Sequence, residues 1–334
     1  MPRTVHDRPR HVGAVAVIVG GALASVVVGL LSLGIGPTGI SWSDSLTALL
    51  SDEPSRLRSL VIDVRLPRAV LAALVGASLA VAGLLAQALT RNPLASPQTF
   101  GINAGAAVAI VLATIAFPSL GALGTVAALI GAGTVGALMW FLSTTGAVTV
   151  VGLALAGMTV QIVLSALVQA ILIMNNSTQD IVFWLAGSVT GADWSDVAVL
   201  APATAAGCAV ALLGARSFAL LTLDAFTAAS LGQHPARVAG AAAVIVVVLA
   251  GAAVAVAGPI GFIGLIVPHI ARRLVGARFL TQLLACIALG PLLLLAADVL
   301  ARLVAFPTET PAGIVTALLG APVFLILAIR ARRA

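Results

Sequence analysis

Eleven carboxylates, four histidines and two cysteines are the side chains here that could hold a metal, move a proton or act as a nucleophile, and their spacing suits none of those tasks. His269 follows Pro268, and neither His234 nor a cysteine stands at a ligand spacing from it, so it reads as a structural residue satisfying backbone groups freed at the proline. Cys208 and Cys286 lie inside apolar runs, as small core residues do, and not in a disulfide or zinc framework. All seventeen basic residues are arginine. Without lysine there is no G-x-x-x-x-G-K-[ST] phosphate loop, so nucleotide hydrolysis by that route needs a partner. The acids are not clustered as a metal-assisted transferase requires. What remains is recognition by guanidinium forks and amides. Gln161, Ser165 and Gln169 recur every four residues and make one polar stripe on an apolar helix, which either lines water or bonds a neighbouring helix. Gln87, in an earlier apolar run, poses the same choice.

These residues sit in a chain of 334 residues that is 61% hydrophobic and 8% charged, with a mean hydropathy of +1.18. That composition points to an all-α polytopic membrane protein, not a soluble fold or a membrane barrel. Ten spans are expected: 13–35, 65–90, 97–117, 121–142, 148–174, 196–216, 237–257, 259–276, 280–300 and 311–330. The first, behind Arg3, Arg8 and Arg10, is longer than a cleavable signal core and reads as a retained span. With the N-terminus inside, twelve arginines fall on the cytoplasmic side, against five (Arg56, Arg58, Arg65, Arg68 and Arg302) outside. This places both termini in the cytoplasm and explains a pI near 11.3 without nucleic acid. The segment from Pro37 to Asp63 becomes the longest outside loop, with Trp42 and Trp184 as interfacial anchors. Small-residue runs at 76–83, 101–106 and 251–258 predict closely packed helices, and the first and third echo each other as duplicated halves would.

Asp224 to Val238 is polar and punctuated by Gly232 and Pro235 between two apolar runs. Its helices are too short to cross a hydrocarbon core of about 30 Å, so it must lie on the surface, and the arginine distribution puts it inside. Asn92 and Pro93 suit a turn after the second span.

Three further stretches carry a resemblance: R-L-P-R at 65–68 leading to R-N-P-L-A-S-P at 91–97, G-P-I-G-F-I-G-L-I-V-P-H-I-A-R at 258–272, and D-V-L-A-R at 298–302 followed by P-T-E-T-P-A-G-I-V from 307. With the S-L-G at 230–232, they resemble the FecCD family, the permeases of binding-protein-dependent ABC importers for iron-siderophores, haem and cobalamin. The resemblance implies one permease domain over 1–334 with the type II importer fold, in a bacterial plasma membrane. It implies pairing with a second permease, the same or a sister chain, and with two cytoplasmic ATP-binding subunits, which hold the ATP and magnesium; this chain carries no cofactor or catalytic residue. An extracytoplasmic binding protein delivers the substrate. Arg65, Arg68 and Arg302 match the family's docking positions for acids of that protein, although Arg302 also stands four residues after Asp298 and Arg65 two after Asp63, so local pairing competes. The coupling helices fall at 222–238, where Ala228, Leu231 and Gly232 match the ATPase contact and Asp224 sits one position before the usual glutamate. Gln87, Gln161, Ser165 and Gln169 become translocation-path candidates. A ten-span secondary transporter is the rival reading, and it would want an ionisable residue near mid-membrane that is not evident here.

Overall fold

A computed structural model of the chain describes residues 11–36, 41–51, 55–117, 123–144, 150–174, 183–222, 235–306 and 308–331. Among these there is no strand, and a helix answers each of the ten expected spans. The helices are α1 (His11–Ser32), α2 (Trp42–Leu50), α3 (Arg56–Ser59), α4 (Leu66–Thr90), α5 (Ile102–Ala116), α6 (Leu123–Thr144), α7 (Val150–Met174), α8 (Trp194–Leu213), α9 (Ala215–Leu220), α10 (Pro235–Ala257), α11 (Ile263–Val275), α12 (Phe279–Val304) and α13 (Ala312–Ala331). Seven helices among the described residues are long and apolar enough to cross a membrane. The expectation of ten full spans is corrected in length: α5 has 15 residues and α11 only 13, about 20 Å of helix against a core of roughly 30 Å.

The described residues of the expected outside loop are also largely helical. A π-helical stretch, Leu60–Arg65, joins α3 to α4 without a break. Trp42 is exposed, as an interfacial anchor would be. Trp184 instead packs against the core, and it is Trp194 that is exposed, its indole N–H donating to the Ile62 carbonyl at 3.0 Å.

Burial grades the bundle from centre to rim. In the run that ends in α4, 83% of the apolar window is buried, against 17% for α7 and 6% for α1. α4 packs on α12, α10, α11 and α8, while α5, α6 and α7 form a flanking group joined to the centre through α10. Glycines permit the closest contacts: a Cβ on Gly76 would lie 2.3 Å from the Gly290 carbonyl oxygen, and one on Gly83 only 1.9 Å from that of Gly264. The two glycines are seven residues apart, two turns along one face, so the 76–83 run brings α12 and α11 backbone to backbone with α4. The echoing run at 251–258 is used differently, because Gly258 has left the helix at φ +68.

Asp193 starts α8 with a capping box: its carboxylate accepts from the Ser195 and Asp196 amides at 2.8 and 3.0 Å, and the Asp196 carboxylate accepts from the Asp193 amide at 3.2 Å. The Ser195 hydroxyl first, then the Asp196 amide, hold the Asp193 pKa below its ordinary value. A carboxylate with a depressed folded-state pKa stabilises above the unfolded value, about 3.9, and loses that contribution as pH falls through the folded value. Asp193→Ala should therefore cost about 1 kcal/mol near neutral pH, and the difference in melting temperature from wild type should shrink in acid.

Candidate functional site

One end of the bundle is held by charge. Asp298, six residues before the end of α12, is 1% exposed and lies between two guanidiniums. Arg68 Nη2 donates to its Oδ1 at 2.8 Å and Arg68 Nε at 3.1 Å, while Arg302 Nη2 donates to Oδ2 from one helical turn away. The Nη1 of Arg68 reaches the Glu309 carboxylate at 2.7 Å, and the same Glu309 oxygen accepts from the Thr190 hydroxyl at 3.1 Å. The network ties α4, α12, the segment entering α13 and the segment before α8. The final carbonyls of a helix have no partner within it, and those around the end of α1 are met here: Arg302 Nη1 donates to Ser32 and Ile35 at 2.9 and 3.0 Å, and Arg65 Nη1 to Leu33.

Arg65, Arg68 and Arg302, the docking candidates, are 6%, 7% and 4% exposed. Their charge is spent on Asp298, Glu309 and helix-end carbonyls. The i,i+4 pairing of Asp298 with Arg302 is present, whereas Arg65 turns to the Leu33 carbonyl. Nothing in the sequence pointed to the Arg68–Asp298 pair, whose members are 230 residues apart.

At the other end of α4 the amide of Gln87 has a specific task. Pro268 lies inside α11 and has no N–H to give the carbonyl four residues back, that of Gly264. Gln87 Nε2 donates to that oxygen at 3.3 Å. Gln87 thus supplies a donor to the freed carbonyl, and its amide makes an interhelical bond. Gln87→Leu should remove that donor and cost about 1–3 kcal/mol. In a Pro268→Ala background, where residue 268 regains its own N–H, the same replacement should cost far less. Equal melting-temperature losses in both backgrounds would refute the assignment.

The stripe on α7 does not keep to one environment. Gln161 and Ser165 are half-buried and Gln169 is exposed, because α7 packs on α5 and on the short turn Gln98–Phe100 while rows separated by four residues drift around the helix. Most of the remaining α7 surface is apolar and exposed, including Ile162, Val163 and Met174.

The segment before α11 is where sequence reading missed most. The expected span from 259 begins with non-helical backbone, with Gly258 and Phe262 both at φ +68, and the helix starts only at Ile263. Irregular backbone of this kind is tolerated in a membrane protein when protein surrounds it. The turn is indeed enclosed: a Cβ on Gly258 would meet the Trp184 carbonyl oxygen at 2.0 Å, and one on Gly320 the Phe262 ring at 2.3 Å. Three glycines in the first seven residues of G-P-I-G-F-I-G were the available signal.

The turn after α4 follows the sequence. Arg91 caps the helix at φ 50 and the Asn92 side chain accepts from the Leu94 amide at 2.9 Å. The Arg91 Nε also donates to the Leu221 carbonyl at 3.0 Å, bracing the residues just before 223. Asp224, Ala228, Leu231 and Gly232 lie outside the described residues.

Comparison with known proteins agrees with this architecture. The sequence pattern of the FecCD transport family matches residues 14–330. The chain is 44% identical over 312 residues to the Fe(3+)-citrate import system permease protein YfmD of Bacillus subtilis (strain 168), covering 93% of this chain and 94% of the relative. It is 40% identical to the Fe(3+) dicitrate transport system permease protein FecC of Escherichia coli (strain K12), covering 86% and 89%. A solved metal-chelate type ABC transporter in an inward-facing conformation superposes with a TM-score of 0.79 at 30% identity, over 94% of this chain and 98% of that one. With a membrane bundle of the same architecture and a match that runs through nearly its whole length, the chain belongs to the FecCD transport family.

Proposed function

We propose that this chain is the transmembrane permease subunit of an ABC importer that carries an iron(III) chelate, of the citrate or siderophore type, into the cytoplasm. The observation that carries the reading is the near end-to-end similarity to permeases named for Fe(3+)-citrate import. The rival, a secondary transporter, lacks a mid-membrane coupling group: the buried carboxylate Asp298 is committed to two arginines near a helix end.

In this reading the chain sits in a bacterial plasma membrane with its termini and the 222–238 segment in the cytoplasm, as the arginine distribution favours. It pairs with a second permease, and the apolar, exposed face of α7 around Gln161, Ser165 and Gln169 suits a wall shared with that partner along the substrate path. Two ATP-binding subunits supply ATP and magnesium and press on Asp224, Ala228, Leu231 and Gly232. A binding protein lands on the opposite rim, which Arg65, Arg68 and Arg302 hold in shape from below its surface. ATP-driven closure shifts the bundle because the partners bind its two states with different affinity.

The test is co-purification followed by reconstitution. ATP-binding subunits should accompany the chain, and ferric citrate or a ferric siderophore with its binding protein should stimulate ATP hydrolysis, whereas uptake that persists without any ATPase would overturn the reading. Leu231→Arg should uncouple hydrolysis from uptake, whereas Asp224→Ala should change little. Ser165→Cys should react with a water-soluble thiol reagent in at least one transport state, and protection in every state would exclude it from the path.

A further inference from the structure

α1 lies along α12 and barely touches α4. Small residues on all three helices, Ala22 and Gly29 on α1, Ala69 and Ala73 on α4, and Ala288 beside Pro291 on α12, leave a groove of about 510 Å³ between them. Its one hydroxyl, Ser25, is already spent on the Gly21 and Ala288 carbonyls at 2.9 and 3.0 Å. The rest of its lining is apolar side chains, which offer water no hydrogen-bond partner. Its neighbours on α1, Val19, Leu23 and Val27, are exposed, as residues that face hydrocarbon are in a membrane bundle.

The dimensions select the occupant. From Leu33 to Ile18 the groove follows α1 for about 22 Å at 1.5 Å per residue, somewhat more than one leaflet of roughly 15 Å. Spread over that length, the volume suits one extended chain, whereas a helix is about 10–12 Å across. One end of the groove is formed by Leu33 and Leu66, and there the Arg65 guanidinium donates to the Leu33 carbonyl. Arg56 is exposed on α3, the short helix that leads through the π-helical stretch into Leu66.

We propose that the groove binds one acyl chain of an anionic glycerophospholipid, with the phosphate at the Arg65 end and Arg56 and Arg58 drawing it there. The site needs only that the chain lies in a bilayer and is independent of what the protein transports.

Native mass spectrometry of the full chain, after reconstitution with equal phosphatidylglycerol and phosphatidylcholine and then stepwise delipidation, tests this. One phospholipid per chain should survive, with phosphatidylglycerol favoured about fivefold for each arginine near the headgroup. Ala73→Leu fills the groove and should reduce retained lipid about tenfold, equivalent to losing roughly two buried methylenes, while melting temperature holds. Should Ala73→Leu misassemble, Ala22→Val fills from the opposite wall and is read the same way. Arg56→Gln with Arg58→Gln should equalise the two lipids without expelling them. Undiminished lipid in a folded, filled variant, or no headgroup preference in the wild type, overturns the proposal. So does a photocrosslinker at Val26 that captures a protein segment instead of lipid.

Discussion

Asp298→Ala is expected to abolish assembly of the protein, although the residue touches neither a substrate nor a partner. Its carboxylate lies between Arg68 and Arg302 with 1% of its surface exposed. Without it Arg302 keeps only the α1 carbonyls and Arg68 only Glu309, whose side chain is 22% exposed. Removing one partner of a buried ion pair costs about 3–5 kcal/mol, because the remaining charge stays desolvated and uncompensated. That is a large share of the 5–15 kcal/mol that typically separates folded from unfolded domains. Asp298→Asn keeps the acceptor oxygen and should lose less. Arg302→Glu places a third carboxylate beside Asp298 and Glu309 and strips the Ser32 and Ile35 carbonyls of their donor, so it should lower the membrane yield as Asp298→Ala does. A docking residue on the surface would instead spare assembly and lose only stimulation by the binding protein. Membrane yield and melting temperature, read beside binding-protein affinity, separate the two. Wild-type yield and melting temperature for Asp298→Ala would refute the structural role.

Gly83→Ala should nearly eliminate uptake, with a change of a single methyl group. The added Cβ would lie 1.9 Å from the Gly264 oxygen and 2.4 Å from its Cα, both backbone atoms that no rotamer change can move. Relief requires α4 and α11 to part by about 1 Å, and packed interiors resist such shifts at a cost of roughly 1–3 kcal/mol. The same movement stretches the Gln87–Gly264 hydrogen bond, already 3.3 Å long, and frees again the carbonyl that Pro268 cannot satisfy. Since 1.4 kcal/mol is a factor of ten, uptake of labelled ferric chelate in proteoliposomes should fall by at least about tenfold. Gly20→Ala is the control: a Cβ there meets nothing within 4 Å, and uptake should be unchanged or slightly better, since alanine is the stronger helix former. Equal uptake by both variants would show that the α4–α11 contact does not matter for transport.

What the sequence by itself determined follows from rules that act locally along the chain. Hydropathy over windows of about 20 residues located the ten helices that answer the expected spans, because a spanning helix satisfies its own backbone and needs no knowledge of its neighbours. Glycine and proline punctuation placed the Asn92 turn. The quoted motifs were enough to indicate the family. The tertiary structure alone decided what the polar groups do. Arg68 and Asp298 meet across 230 residues, and Gln87 finds the carbonyl that a proline 181 residues later leaves free; no periodicity records such pairings. The arginines that looked out of place at span ends are buried because the end of α1 needs donors for its last carbonyls and Asp298 needs cations, and both demands arise only once α1, α4 and α12 are side by side. The same packing separates Gln161 from Gln169 in exposure, since a stripe drawn on one helix acquires an inside and an outside only when the neighbouring helices are in place.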